Sequence, residues 1–305
     1  MTGPLVAAID VGGTAVKAAL VTSAGVVGDV LTFPVDHLRG RPDMVDEIVR
    51  ICRLTVRRSA RPVDAVGLVV PGIVNPIARL GVSSMLLGWH NVPFGPLVES
   101  ACGVPVAVGH DVRCAARAEF REWADGGLTD ALFVTVGTGI GAAALVGGQI
   151  RTGGNGFGGE IAHLVVDPSG PTCPCGKRGC VEVISAGPAI AAAYAAADGR
   201  QSDVEAVAAA ARSGDLAAAK VWHRAAAALG LAIAIYAQIM DPEIVIIGGG
   251  VAAAGELLLG PTREVVRSQV SLPVVPQLAR SRIVEGAGIF GAALIAREMI
   301  GSTKW

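Results

Sequence analysis

Three cysteines crowd into eight residues of this 305-residue chain, as Cys173-x-Cys175-x4-Cys180, with His163 ten residues before Cys173. Three thiolates and one imidazole make a closed tetrahedral zinc set. Such a set keeps no open position for a reacting water, so the metal reads as structural. The Cys-x-Cys pair is tighter than the usual zinc spacing, and the alternative is three free thiols with an unrelated histidine. Two glycine turns carry a second kind of chemistry. In Asp10-Val11-Gly12-Gly13-Thr14 the glycines let backbone N–H groups approach phosphate oxygens, Thr14 can donate a hydroxyl, and Asp10 can hold magnesium through water. Gly137-Thr138-Gly139-Ile140-Gly141 offers the same. One such turn is as easily a plain hairpin; two, each after an apolar run, point to a phosphate chain gripped from both sides. Gly248-Gly249-Gly250 is a third backbone surface, suited to adenine or ribose, or else a simple strand-to-helix turn. Among the carboxylates, Asp111 follows an apolar strand and opens a helix. It is either an N-cap or a group at the carboxyl end of a strand, where α/β folds bind ligands. Glu160 stands three residues before His163 and shares its face if the stretch is one helical turn. Glu182, two residues after Cys180, is brought near by the metal or is a solvated charge.

The elements that must position these residues are legible as apolar runs. Leu5–Ile9, Ala15–Val21 and Val26–Phe33 read as strand, tight turn, strand, turn, strand. Pro42-Asp43 opens an amphipathic helix to Arg57 with Val45, Ile48, Val49, Cys52 and Val56 on one face. Val66–Val70 and Val104–Val108 read as buried strands, and a helix runs from Asp111 to about Trp123. The opening pattern then returns: Ala131–Val136, a Gly/Thr turn, Ala142–Val146 and Gly147-Gly148. This repetition predicts a duplicated unit. Beyond a glycine-rich loop (Gly153–Gly159) and an irregular Cys-rich segment, Pro188–Met240 is Ala-rich and helical, Ile244–Ile247 is a strand, and helices follow near Glu256–Ser268 and Ala287–Met299. Strands interleaved with helices predict an α/β fold of two lobes with a cleft between them.

Composition narrows the function classes. Lys+Arg is 25 and Asp+Glu 26, a formal net charge of −1, so there is no electrostatic footprint for nucleic acid or an anionic membrane. Apolar residues are 52% and aromatics only 4%, which excludes disorder and calls for a core of small aliphatics. The most apolar helical stretch, Leu229–Met240, is 12 residues, against ~20 for a bilayer span. The N-terminal residues lack a basic stretch and are broken by Asp10 and two glycines, so no signal peptide is expected. Six cysteines in a chain of this length are not a disulfide scaffold, and a cytoplasmic location is expected.

Taken together, the motifs resemble the ROK family (repressors, open reading frames, kinases) of the sugar kinase/actin-like ATPase superfamily. The carriers are Asp10-Val11-Gly12-Gly13-Thr14-x-x-Lys17, Val70-Pro71-Gly72, Gly88-Trp89-x-Asn91-Val92-Pro93, Gly137–Gly141 and Gly159-Glu160-Ile161-Ala162-His163. Cys173-x-Cys175-Gly176-x-x-Gly179-Cys180-x-Glu182 and Asp241-Pro242-Glu243-x4-Gly248-Gly249-Gly250 complete the set. The resemblance implies two ribonuclease-H-like lobes, residues 1–112 and 113–286, with a C-terminal helix at about 287–305 packing back on the first. It implies ATP and Mg2+ in the cleft, a structural Zn2+, and transfer of the γ-phosphoryl group to a hexose hydroxyl, usually the 6-OH, as in a glucokinase. By motif match Asp111 is the general base, and His110, Asp111, Glu160, His163 and Glu182 hold the sugar. Asp10, Gly12, Gly13, Thr14, Lys17, Gly137, Thr138, Gly139, Gly248, Gly249 and Gly250 hold the nucleotide and its metal. His163, Cys173, Cys175 and Cys180 hold zinc. The family's habit is a homodimer or homotetramer, binding sugar and ATP and neither nucleic acid nor membrane.

A second class within the family is sugar-sensing transcriptional regulators. Those carry a helix-turn-helix domain ahead of the kinase-like part, and a phosphate motif at Asp10 leaves no room for one. The departures from the family pattern fall on the sugar side. His110 stands where Asn precedes the base, Met85 replaces an Asn four residues before the Trp, and Ala162 replaces a Gly. A neutral imidazole can accept a hydrogen bond from a sugar ammonium. Kanosamine (3-amino-3-deoxyglucose) is therefore an alternative substrate, and the resemblance implies N-acetylmannosamine or a cyclitol as others.

Overall fold

In the computed structural model, residues 3–38, 40–41 and 43–302 are described. Pro42, read above as opening a helix, and the ends of the chain at 1–2 and 303–305 lie outside them. The strands are β1 (Val6–Val11), β2 (Ala15–Thr22), β3 (Gly25–Pro34), β4 (Ala65–Val70), β5 (Ile73–Asn75), β6 (Leu80–Ser84), β7 (Trp89–Val92), β8 (Val106–His110), β9 (Ala131–Val136), β10 (Ile140–Val146), β11 (Gln149–Arg151), β12 (Ile244–Gly248) and β13 (Gln277–Arg280). The helices are α1 (Asp43–Arg57), α2 (Phe94–Cys102), α3 (Asp111–Glu122), α4 (Glu182–Ser185), α5 (Gly187–Asp198), α6 (Val204–Arg212), α7 (Leu216–Met240), α8 (Glu256–Gln269) and α9 (Ala287–Met299).

The chain divides into two compact units. Unit 1 is Met1–Glu122, Gly154–Phe157 and Gly286–Trp305; unit 2 is Trp123–Gly153 and Gly158–Glu285. Each holds a five-stranded sheet, of order β3-β2-β1-β4-β8 in unit 1 and β11-β10-β9-β12-β13 in unit 2. In both, the first three strands pair antiparallel as hairpins and the last two join in parallel. The two sheets thus repeat one topology, and each Gly/Thr turn occupies the same place in it: Gly12–Thr14 joins β1 to β2, and Gly137–Gly139 joins β9 to β10. The boundary falls after α3 rather than at residue 112, because α3 packs along α9, which in turn covers β1 and β4.

The apolar alternation of β1 explains the layering of unit 1. Val6 and Ala8 face α9 through Ile289, Ala292 and Ala296, while Ala7, Ile9 and Val11 face α1. The buried face of α1 is Met44, Ile48, Ile51, Cys52 and Thr55, with Val45, Val49 and Val56 only at its edge. The expected stripe was therefore rotated by about one residue toward the valines. A third, three-stranded sheet (β5-β6-β7) and α2 belong to unit 1 and were not foreseen; Trp89 and Phe94 stack edge to face there, 5.2 Å apart. In unit 2, α7 is long and apolar enough to cross a membrane by length and hydropathy. It is twice the length of the apolar stretch noted in the sequence, and its buried side, including Trp222, Ala225, Leu229 and Ile233, forms the middle of the unit 2 core. The Asp215 side chain caps it by accepting from Ala218 N–H at 3.0 Å.

Candidate active site and metal centre

In unit 1, the predicted residues gather at the carboxyl ends of β1 and β8, the side where parallel α/β strands present ligand groups. Asp10, next to last in β1, is in register with the exposed Lys17 of β2, and the Gly12–Thr14 turn is closed by Gly12 N–H donating to the Ala15 carbonyl at 2.9 Å. Asp10 lies against the first turn of α9. A side chain at Gly288 would put its Cβ 2.2 Å from Asp10 Oδ2, so only glycine leaves space for that carboxylate. Gly288 has no part in the motifs read from the sequence; the Gly286-x-Gly288 pair ahead of the last helix was its one signal.

Asp111 is the first residue of α3, with Oδ1 accepting from Val112 N–H at 2.7 Å. Burial raises its pKa to about 6, against the lowering effect of that bond and of the Arg113 charge. Burial, then the Asp111 charge, raises Asp10 to about 7, with Lys17 opposing. The fold therefore brings together two carboxylates whose ionisation burial opposes, a setting in which a carboxylate could take up a proton near neutral pH. His110 sits beside them. Its Nδ1 accepts from Arg113 N–H at 3.3 Å and lies 3.2 Å from Asp111 Oδ1. Arg113, buried, donates to the Gly156 carbonyl and ties the tip of the glycine-rich loop to the start of α3. Met85 is 89% exposed.

A group that works only when ionised loses activity below its pKa. At saturating Mg2+, which would hold Asp10 ionised, the kcat/KM profile for the sugar should therefore fall about tenfold per pH unit below about pH 6, where Asp111 takes up its proton. A flat profile from about pH 8 to 5 would remove Asp111 from the reaction.

In unit 2, the ligand atoms of His163, Cys173, Cys175 and Cys180 lie within 4.8 Å of one another. Cys175 Sγ is 3.6 Å from Cys180 Sγ, and Cys173 Sγ is 3.7 Å from His163 Nδ1. With Zn–S near 2.3 Å, the edges of a tetrahedral zinc site are about 3.5–3.8 Å, so the donor set fits one zinc ion. The knuckle closes through Cys173 N–H on the Lys177 carbonyl (2.7 Å) and Gly179 N–H on the Pro171 carbonyl (2.8 Å). Because Nδ1 faces the thiols, Nε2 is the nitrogen turned away from them. Glu160 immediately precedes a single 3-10 turn, Ile161–His163, and its carbonyl accepts from His163 N–H at 3.4 Å, so one tight turn separates the two residues. Glu160 is exposed.

Glu182 is not a solvated charge. It opens α4, and its Oε2 accepts from Ile140 N–H at 3.1 Å, on the Gly137–Gly141 turn. Gly248 pairs with Thr135 at the end of β12, which sets Gly248–Gly250 beside the same turn. Unit 2 thus joins the metal knuckle, the turn and the glycine triplet. Asp10, Gly12, Gly13, Thr14, Lys17, His110 and Asp111 belong to unit 1.

Comparison with known proteins identifies the family. The ROK family model matches residues 6–299. A glucokinase of Thermotoga maritima is 34% identical over 96% of this chain and 97% of its own. An N-acetylmannosamine kinase of Escherichia coli is 31% identical over 95% and 97%. Among solved structures, a ROK family glucokinase from Streptomyces griseus in complex with glucose and AMPPNP superposes with a TM-score of 0.82 at 29% identity, covering 96% of this chain and 99% of that one. With the family model matched over residues 6–299, glycine turns at the same place in two repeated sheets and a zinc-type His/Cys3 set, the chain belongs to the ROK family and is an ATP-dependent sugar kinase.

Proposed function

We propose that this kinase transfers the γ-phosphoryl group of ATP to the 6-OH of a hexose, glucose first among the candidates, bound in a cleft between two ribonuclease-H-like lobes. The observation that carries the reading is Asp111: a desolvated carboxylate with its pKa near 6, beside a second carboxylate suited to a cation. Phosphoryl transfer asks the protein for positioning and charge neutralisation more than for covalent help. Asp111 takes the hydroxyl proton as the oxygen closes on phosphorus. Asp10, whose ionisation burial and Asp111 oppose, suits Mg2+, which when bound would neutralise phosphate charge. Gly12, Gly13, Thr14 and Lys17 would meet the phosphates from one side and Gly137, Thr138 and Gly139 from the other. Gly248–Gly250 would carry the nucleoside. Glu160, His163 through Nε2, and Glu182 would accept or donate to the sugar hydroxyls, with zinc holding His163 in place. A homodimer or homotetramer is the assembly expected of it.

His110 bears on which sugar fits. Its Nδ1 lies between Arg113 N–H (3.3 Å) and Asp111 Oδ1 (3.2 Å), which places the imidazole beside the base, where it would meet the sugar. An imidazole can bond a hydroxyl or an ammonium, and glucose, the sugar of a relative's named activity, is put ahead of kanosamine. Glucose and N-acetylmannosamine both remain within reach of the relatives' named activities. The test is ATP consumption over hexoses, aminohexoses, N-acetylhexosamines and cyclitols, with the phosphorylated position read by NMR. Glucose should exceed 3-amino-3-deoxyglucose in kcat/KM by at least about tenfold, and His110→Asn should narrow that gap. Turnover of no hexose, or a product phosphorylated away from the 6-OH, would refute the reading.

A further inference from the structure

The zinc knuckle and the Gly137–Gly141 turn are connected by a short, fully traceable path. Cys180 is a ligand of the metal set and is buried, as is Val181, whose N–H donates to the Leu164 carbonyl at 3.0 Å. Glu182 follows at once as the first residue of α4. From α4 and its continuation, two hydrogen bonds reach the turn: Ile140 N–H donates to Glu182 Oε2 (3.1 Å), and Gly187 N–H donates to the Gly137 carbonyl (2.8 Å). The carboxylate lies directly against the turn. A Cβ on Gly139 would stand 2.9 Å from Glu182 Oε2. At its other end α4 is anchored in the core, where the buried Ser185 hydroxyl donates to the Ala225 carbonyl at 2.7 Å. The segment between metal and turn is thus two residues long and pinned on both sides.

We infer that Glu182 is a positioning residue for the nucleotide: its carboxylate holds the Gly137–Gly141 turn in shape and makes that shape depend on the metal knuckle. This rests on reading the turn as a phosphate site. A backbone turn binds phosphate only while its N–H groups converge, and a carboxylate that takes one of them from behind fixes the peptide planes of the others. A charge-assisted bond of this kind is among the stronger single hydrogen bonds. The zinc-bearing segment, whose His163 is directed to the sugar in the reading above, then also sets the affinity for ATP.

The measurement is nucleotide binding with no sugar present, so that any role of Glu182 toward sugar drops out. Fluorescent N-methylanthraniloyl-ADP with Mg2+ is titrated into the zinc-loaded protein. Glu182→Ala should weaken its binding about tenfold. Glu182→Gln, whose amide oxygen still accepts the Ile140 N–H, should restore most of it. Chelation of the metal should weaken binding in the wild type and add less than about twofold in Glu182→Ala, because the two changes break one path. Wild-type affinity in Glu182→Ala, or an equal loss in Gln and Ala, overturns the positioning role. Equal, additive losses on chelation in both proteins overturn the link to the metal. Wild-type protein that binds no nucleotide overturns the reading of the turn itself, a result distinct from these.

Discussion

Asp111→Asn is expected to lower kcat by about 10²–10⁴ while leaving the sugar KM within about threefold of wild type. The amide keeps the size of the side chain and an oxygen to accept the Val112 N–H, so α3 starts as before. What it lacks is a place for the proton. Without a base, the hydroxyl must attack while still protonated, and that cost falls on the transition state rather than on binding. The same change removes the negative charge that helps to raise Asp10, so Asp10 should ionise at lower pH. Two signatures should therefore appear together in steady-state kinetics across pH: a collapsed kcat, and loss of the fall in kcat/KM below about pH 6. A variant turning over within about threefold of wild type would show that some other group takes the proton.

Cys175→Ser should release the zinc. The protein as purified should carry about one zinc per chain by metal analysis, and the variant little or none, because a serine hydroxyl is a poor substitute for thiolate in a closed Cys3His set. Cys175 is exposed, so the substitution itself makes no cavity. The damage should appear where the knuckle leads. His163 Nδ1 loses its partner, the ring is free to turn, and the turn bearing Glu160 loosens. Orienting interactions around a metal are typically worth 10–100-fold, and the sugar KM should rise by about that much. Nucleotide affinity should fall as well, by the smaller factor that one hydrogen bond from Glu182 represents. Active, purified wild-type protein with no bound zinc would contradict the assignment.

The repeated topology could be read before any coordinates, because it rests on local signals. β1 and β9 are short apolar runs that stop at glycine, each followed by another run, and such a hairpin forms from neighbours in sequence. The sheet β5-β6-β7 escaped notice for the opposite reason. Its strands are three to five residues long, carry little alternation, and are stabilised by packing of Trp89 on Phe94. The face of α1 was misjudged by one residue because valines at its edge carry as much hydropathy as the isoleucines that are buried. Only the sheet beneath decides between them. β13 was overlooked because it is four residues long, with one of them, Leu278, buried.

For the site, the amino-acid order alone determined the ligand types and their spacing: the Cys3His set, the paired glycine turns, and a carboxylate where a strand meets a helix. These are properties of residues within a few positions of one another, and spacing constrains them directly. Three things needed the tertiary structure. The desolvation that brings Asp111 to about 6 comes from the elements folded over it and is invisible in its neighbours along the chain. The space for Asp10 is left by Gly288, which is 278 positions away and meets it only because α9 packs back on β1. Glu182 could be either a group brought near by the metal or a solvated charge from its sequence neighbours, and it lies against Ile140, 42 residues earlier, because the chain beyond the knuckle returns to β10. Hydrogen bonds and burial across such separations depend on how the sheets are assembled, and sequence periodicity carries no record of that distance.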